Sequence, residues 1–366
     1  MIDDALDPWD EPDEDDAAED APVEIGPGAA PGPAAPGGFA PRLGAAGPLA
    51  MDEAWRPRAA LSAKTRIATL GCGVVSALTS GLRLRRWTLL EAEPAPLFMR
   101  DAALRRFGWR ESSARTGPVR TPAHLLQLLR EVDGDARPAL PAWALPASAP
   151  GGLWVDSQRP GVEPEGLETP EDVMRHRRGH LTRLRRTLAR ADAVVAVLSR
   201  AEAWTHAATG TVYPEPPGAP AGGHDPQVFA ARLWTAAEIE ADLAEIRDRL
   251  QRRREGQTLI LAISPEAPAW STRSLDPGLA AGREQAALRC AMEAVATAHD
   301  DVDYFPALEL LTALRTRGMH FADEDLRPTL AAEATLSNAF CAPHEDERGR
   351  KRAERRRARR LAAEAA

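Results

Sequence analysis

The chain has 366 residues, a formal net charge of −8, 32 prolines, 27 glycines and three cysteines. Three widely spaced cysteines, Cys72, Cys290 and Cys341, argue against a disulfide framework. With an acidic start that matches neither a secretory nor a transit signature, they point to a reduced cytoplasmic protein. No run reaches the roughly 18 apolar residues of a membrane-crossing helix, and the near-neutral body excludes a general basic bias towards nucleic acid.

Residues 1–41 hold twelve acidic residues and no Lys or Arg, among Pro, Gly and Ala as in "IGPGAAPGPAAPGG". Such a segment buries too little apolar surface to offset its chain entropy, so residues 1–60 are expected to be a disordered tail. One domain is expected over 61–341, with a Pro-rich insertion at 133–152, followed by a basic tail over 342–366.

Four apolar runs lack polar alternation: Ile67–Leu70, Ala193–Leu198, Thr258–Ile263 and Val302–Phe305. They read as strands covered on both faces. Helical patterns lie between them. "TPAHLLQLLREV" places Leu125, Leu126, Leu128 and Leu129 on a core face behind Thr121 as N-cap and Pro122 at the first helical position. Thr169 and Pro170 repeat that start ahead of a helix with an acidic first turn and a basic later half. A third helix, "TAAEIEADLAEIRDRLQRRREG", closes at Gly256, and a fourth, "AGREQAALRCAMEAVATAHDD", carries Cys290 on its apolar stripe. The alternation predicts an α/β fold, doubly wound, with a mainly parallel sheet and helices on both faces. Asp133–Gly152 reads as a Pro-rich connection and Tyr213–Pro226 as a long surface loop. Loops at the carboxyl ends of parallel strands are where such folds hold ligands. The end of the chain, residues 348–366, has nine basic and two acidic residues. Three readings stand for it: a solvated, partly helical tail, a contact with the acidic tail, or a contact with an anionic partner such as RNA, DNA or anionic lipid.

"LGCGVVS", residues 70–76, sits where a strand turns into a helix. A thiol at a helix N-terminus has a lowered pKa, which suits Cys72 to be a nucleophile. The other reading is a small buried residue in a tight Gly-Cys-Gly turn. His176 and His180, four apart, share a helix face, but no third ligand follows at diagnostic spacing and no metal site is expected. The run "RHRRGHLTRLRR" reads as a phosphate or acidic-sugar contact, or as a solvated face, since Leu181, Leu184 and Leu188 mark the buried side. In "WVDSQRPG", Asp156 and Arg159 either line a pocket mouth or pair with each other.

In order, the chain carries "LGCGVVSAL", "LLQLLREV", "HLTRLRRTLARADAVVAVLSRAEAWTHAATGTVYPEPPG", "LILAISP", "VDYFPALEL" and "RGMHFADEDLRP". The series resembles the GSCFA family of bacterial proteins, named for a Gly-Ser-Cys-Phe-Ala motif, which is itself similar to the SGNH (GDSL-type) esterases and acyl hydrolases. The likeness runs from about Thr65 to Phe340 and is most specific over 191–218. It implies that Cys72 stands where the nucleophilic serine belongs and Gly73 where the family cysteine belongs, with Gly71 beside them. It further implies that the backbone N–H groups of Cys72 and Ser199 would hold an oxyanion. Ser199 replaces a glycine, and Ala201 replaces a polar residue that donates in the wider superfamily. Glu202 and Trp204 are retained, the first suited to satisfying loop donors and the second to covering the sheet edge. The Asp-x-x-His pattern is broken: Asp325 is followed by Leu326, Arg327 and Pro328. His320, five residues before Asp325, either substitutes as base or lies at the surface. The resemblance thus implies a divergent, degenerate member that binds or acts on an acylated carbohydrate or small ester, with no cofactor. The alternative is a weak esterase or acyl hydrolase using Cys72.

Overall fold

The four apolar runs form one parallel sheet in the computed structural model. It describes residues 55–146, 152–266, 268–272, 276–313, 318–322 and 327–345, together with 351, 355, 356 and 358, all within the compact unit Gly47–Ala366. The expected disorder up to residue 54 and most of the basic tail lie outside the described residues.

The elements run β1 (Ile67–Gly71), α1 (Val75–Leu84), α2 (Asp101–Arg106), α3 (Pro122–Asp133), β2 (Ala142–Ala144), β3 (Trp154–Asp156), α4 (Pro170–Arg190) and β4 (Ala193–Leu198). Then follow β5 (Glu202–His206), β6 (Val212–Tyr213), β7 (Phe229–Leu233), α5 (Ala236–Arg253), β8 (Thr258–Ile263), α6 (Pro277–Ala298), β9 (Val302–Phe305), α7 (Ala307–Thr312) and α8 (Leu330–Cys341). The main sheet has the order β1-β4-β8-β9, with Leu70 opposite Ala196 and Leu198 opposite Ile263. Alternate side chains leave on opposite faces. Leu70, Val194, Ala196 and Leu261 pack with α3, α4, α5 and α6, while Ile67, Val195, Val197 and Ile260 pack with α1, α7 and α8. Both faces are covered, which is why these strands carry no polar alternation. Each fully buried Leu or Ile contributes about 1.5–3 kcal/mol. The strand order runs one way along the chain. The second helical layer therefore comes from α1, at the start of the first crossover, and from α7 and α8, after the last strand.

The helix starts follow the local chemistry. Thr121 Oγ1 accepts the His124 N–H at 3.1 Å, and Thr169 Oγ1 accepts that of Asp172 at 3.1 Å, each with proline at the first helical position. α5 ends at Arg253, short of the expected Gly256, which takes the left-handed turn after it at φ 74°.

Three sequence expectations change. Tyr213 is fully buried rather than the start of a surface loop: it lies in β6, and β6-β5-β7 form a small antiparallel sheet. The Pro-rich insertion supplies Trp143 from β2, whose ring lies 5.0 Å from that of Tyr213, so the two segments close a satellite core with Phe229. Cys290 is exposed, off the apolar stripe of α6. The packed unit also exceeds 61–341. Trp55 stacks on Phe340 at 5.2 Å, and His344 Nδ1 accepts the Leu61 N–H at 3.3 Å. Among the described residues no helix is long and apolar enough to cross a membrane.

Candidate functional site

The carboxyl ends of β1, β4 and β8 meet beneath a cleft of about 1060 Å³. β1 ends in Gly71 at φ 127°, where a Cβ would run into the Val197 carbonyl of β4. This close approach lets the Cys72 N–H donate to Val197 O at 3.0 Å. Gly73, left-handed at φ 55°, leaves the space that the Glu266 carboxylate and Ser264 hydroxyl occupy. Ser264 Oγ in turn accepts the Val74 N–H at 3.1 Å, fixing the entry to α1.

Cys72 is 4 % exposed, with Sγ 3.2 Å from Ser199 Oγ and 3.8 Å from Val197 O. Burial, and then the Glu266 charge, push its thiol well above the ordinary range; Arg120 pulls the other way. The expected lowering by the helix N-terminus is overridden, because a dipole worth about half a charge does not offset full desolvation of a thiolate. Cys72 is therefore a thiol at neutral pH.

The two expected oxyanion donors are already engaged. The Cys72 N–H is held by Val197, and the Ser199 N–H donates to Arg120 O at 2.9 Å. Ala201 offers only its backbone, and that N–H donates to Glu284 Oε2 at 2.7 Å. Glu202, 2 % exposed, lies outside the cleft wall. It accepts Ser271 Oγ at 2.9 Å and the Thr272 N–H at 3.2 Å, which ties down the loop after β8. Trp204 lies on β5, with its ring 5.1 Å from His224 and 5.9 Å from Trp270.

His320 is neither at the surface nor directed at the thiol. It is fully buried, with Nδ1 3.0 Å from Leu311 O and Nε2 3.0 Å from Thr335 Oγ1, so both ring nitrogens serve the packing of α7 against α8. Asp325 lies outside the described residues. No histidine is among the described residues lining the cleft.

The remaining sequence candidates form a separate buried network under α4. Asp156 and Arg159 pair at 2.9 Å, and Asp156 also holds Arg177 at 3.0 Å. His176 Nδ1 meets Arg159 Nη2 at 3.1 Å, and His180 Nδ1 meets Glu93 Oε1 at 2.6 Å. Asp156 and Arg159 thus pair with each other instead of lining the main cleft. Among the described residues no group of three His, Cys, Asp or Glu is placed to hold a metal ion.

Four residues of the site escaped the sequence reading. Glu266 and Ser264 follow β8 directly, so the end of a buried parallel strand was a usable signal. Arg120 donates to Pro214 O at 2.9 Å and to Glu215 Oε1 at 2.7 Å, bringing the loop after β6 to the cleft. Glu284, 1 % exposed on α6, accepts from Arg200 Nε at 2.8 and 3.0 Å and from the Ala201 and Glu202 N–H groups. Nothing local announces it.

No curated protein matches the chain. No solved structure matches it. The GSCFA family model matches residues 101–340 and so begins after the Cys72 turn. That match spans well over half of the chain and takes in Arg120, Arg200, Ser264 and Glu266 of the cleft wall: the protein belongs to the GSCFA family.

Proposed function

We propose that the cleft over β1, β4 and β8 binds an acylated carbohydrate or small ester, and that its hydrolytic machinery is degenerate. The likeness to the SGNH-type acyl hydrolases supports an ester-shaped ligand. The cleft volume falls at the upper end of common ligand pockets. Its wall mixes Trp109 and Trp270 with Arg120, Glu215 and Glu266, a lining suited to a polyhydroxylated body.

The observation that carries the reading is the setting of Cys72: a 4 % exposed side chain with its sulfur against Ser199, and no imidazole among the described lining residues. Losing one oxyanion donor typically costs about 10²–10³ in turnover, and losing a general base about 10²–10⁴. These groups act as a unit, so their joint loss leaves little to rescue.

A second reading, a weak Cys72-dependent esterase, is favoured by the Glu266 carboxylate beside the thiol. In it Glu266 takes the S–H proton as sulfur attacks the ester carbonyl, and returns it to the departing alcohol. Water then hydrolyses the thioester, releasing the acid and restoring the thiol.

The test uses p-nitrophenyl acetate and butyrate with the wild type, Cys72→Ala and Glu266→Gln. All three should match buffer. A wild-type rate that vanishes in both variants selects the second reading. Binding is read separately by thermal shift with triacetin and acetylated cellobiose against cellobiose. A shift for neither acetylated compound removes the ester-binding reading.

A further inference from the structure

The Arg-rich stretch of α4 divides in the structure. Arg175 pairs with Asp172 at 2.8 Å, Arg177 is buried on Asp156 and Glu131, and Arg183 reaches Glu93 at 3.7 Å. Arg185 turns elsewhere. With Arg249, Arg252 and Arg253 of α5 it lines a second hollow of about 380 Å³, where the last turns of α3, α4 and α5 come together. This hollow shares no lining residue with the main cleft.

Charge there is unbalanced. Four guanidiniums face two lining carboxylates, those of Asp133 and Asp135, and Glu245 adds a third at 2.8 Å from Arg249 Nε. Arg249 takes both lining carboxylates, at 2.7 and 2.8 Å, and Arg253 Nη2 shares Asp133 at 2.7 Å. Arg253 has an 8 % exposed side chain, yet its Nε and Nη1 find no hydrogen-bond partner among the described residues. A buried guanidinium short of acceptors is costly. Arg185 and Arg252 are exposed and make no ion pair among the described residues. Burial lowers the Arg253 pKa, Asp133 opposes this, and the Arg249 and Arg185 cations add to the lowering.

We propose that this hollow is an anion site for a phosphorylated small molecule. The helix ends oppose any anion with about half a negative charge each, whereas each guanidinium brings a full positive charge and a planar fork matched to phosphate. A monoanion gains little against that background. A multiply charged phosphate engages the exposed Arg185 and Arg252 together. The volume holds a phosphate with a small attached body.

The experiment is calorimetric titration of the full chain with pyrophosphate and with inorganic phosphate at low ionic strength, in the wild type and in an Arg185→Ala, Arg252→Ala double variant. Both positions are exposed, so the fold is retained, which a thermal melt verifies. Pyrophosphate should bind about tenfold tighter than phosphate, and the double variant should lose at least about tenfold. Added salt should weaken both. Absence of pyrophosphate binding in the wild type overturns the proposal. So does undiminished binding in the double variant, the result expected if the basic tail or the main cleft were the receptor.

Discussion

His180 Nδ1 lies 2.6 Å from Glu93 Oε1, with both side chains sealed beneath α4. Burial, and then Arg159, push the His180 imidazole down to about 4, so it is neutral at pH 7. Burial works to raise the Glu93 carboxyl, but the His180 hydrogen bond and the Arg159 charge win and hold it down at about 2. With Glu93 ionised, the shared proton sits on Nδ1.

The pair gives stability a pH dependence of definite sign. An unfolded histidine binds a proton near pH 6.5, but folded His180 does not until about 4, and buried His124 not until about 3. Between those limits the unfolded state holds more protons, so stability falls as pH falls. Each histidine contributes at most about 1.4 kcal/mol per pH unit. Glu93 adds a further loss as pH drops from its ordinary 4.5 towards about 2. Urea midpoints should change little between pH 7 and pH 8 and decline from pH 6.5 to pH 4. An unchanged midpoint between pH 7.5 and pH 5 contradicts the buried neutral histidines.

Glu284→Ala should be among the most damaging single changes. The carboxylate receives Arg200 and two backbone N–H groups, so its removal strands two donors and leaves Arg200 only its longer 3.3 Å pairing with Glu202. Breaking such a pair costs about 3–5 kcal/mol. Arg200 also lies 4.7 Å over the Trp270 ring, so the cleft wall should loosen with it. Equilibrium unfolding in urea measures the loss, and a value under about 1 kcal/mol removes Glu284 as the clamp of the β4–β5 turn.

The parts of this fold that were legible in the sequence are those where local chemistry and burial agree. β1, β4, β8 and β9 are apolar because both faces are covered, and Thr121–Pro122 and Thr169–Pro170 start helices by satisfying their own first turns. β5 and β7 were missed because "EAWTH" and "FAARL" are short and mixed, and become strands only once Trp143 and Tyr213 close over them. The site was half legible. Cys72 and Ser199 do meet, as neighbours at adjacent strand tips. Their environment was not legible, because the thiol's burial, Glu266 beside it and the Arg120 carbonyl on the Ser199 N–H all come from distant segments. His320 shows the same limit, since sequence places a histidine near Asp325 but gives no direction for its ring.

Gly73→Ala should disturb the cleft floor more than its size suggests. A left-handed alanine costs about 1–2 kcal/mol, and the added methyl would meet the Glu266 carboxylate and the Ser264 hydroxyl. Trimming the obstacle with Glu266→Ala should recover part of the loss. The double variant should then be more stable than the sum of the single changes implies, by at least about 0.5 kcal/mol. Strict additivity in urea unfolding would mean that Glu266 does not fill the space above Gly73.

Native-state alkylation separates the three cysteines. A thiol reacts with iodoacetamide as the thiolate, so access and ionisation must both be available. Cys290 is exposed and meets the first condition. Cys72 fails both, sealed at 4 % exposure with its ionisation opposed by burial and by Glu266. Cys341 is fully buried, and burial likewise raises its thiol. Iodoacetamide at pH 7.5 should therefore add a single carbamidomethyl group, which peptide mapping assigns to Cys290, while Cys72 and Cys341 label only after unfolding. Labelling of Cys72 as fast as Cys290 would mean an open, thiolate-bearing turn, and the esterase reading would then displace the binding one.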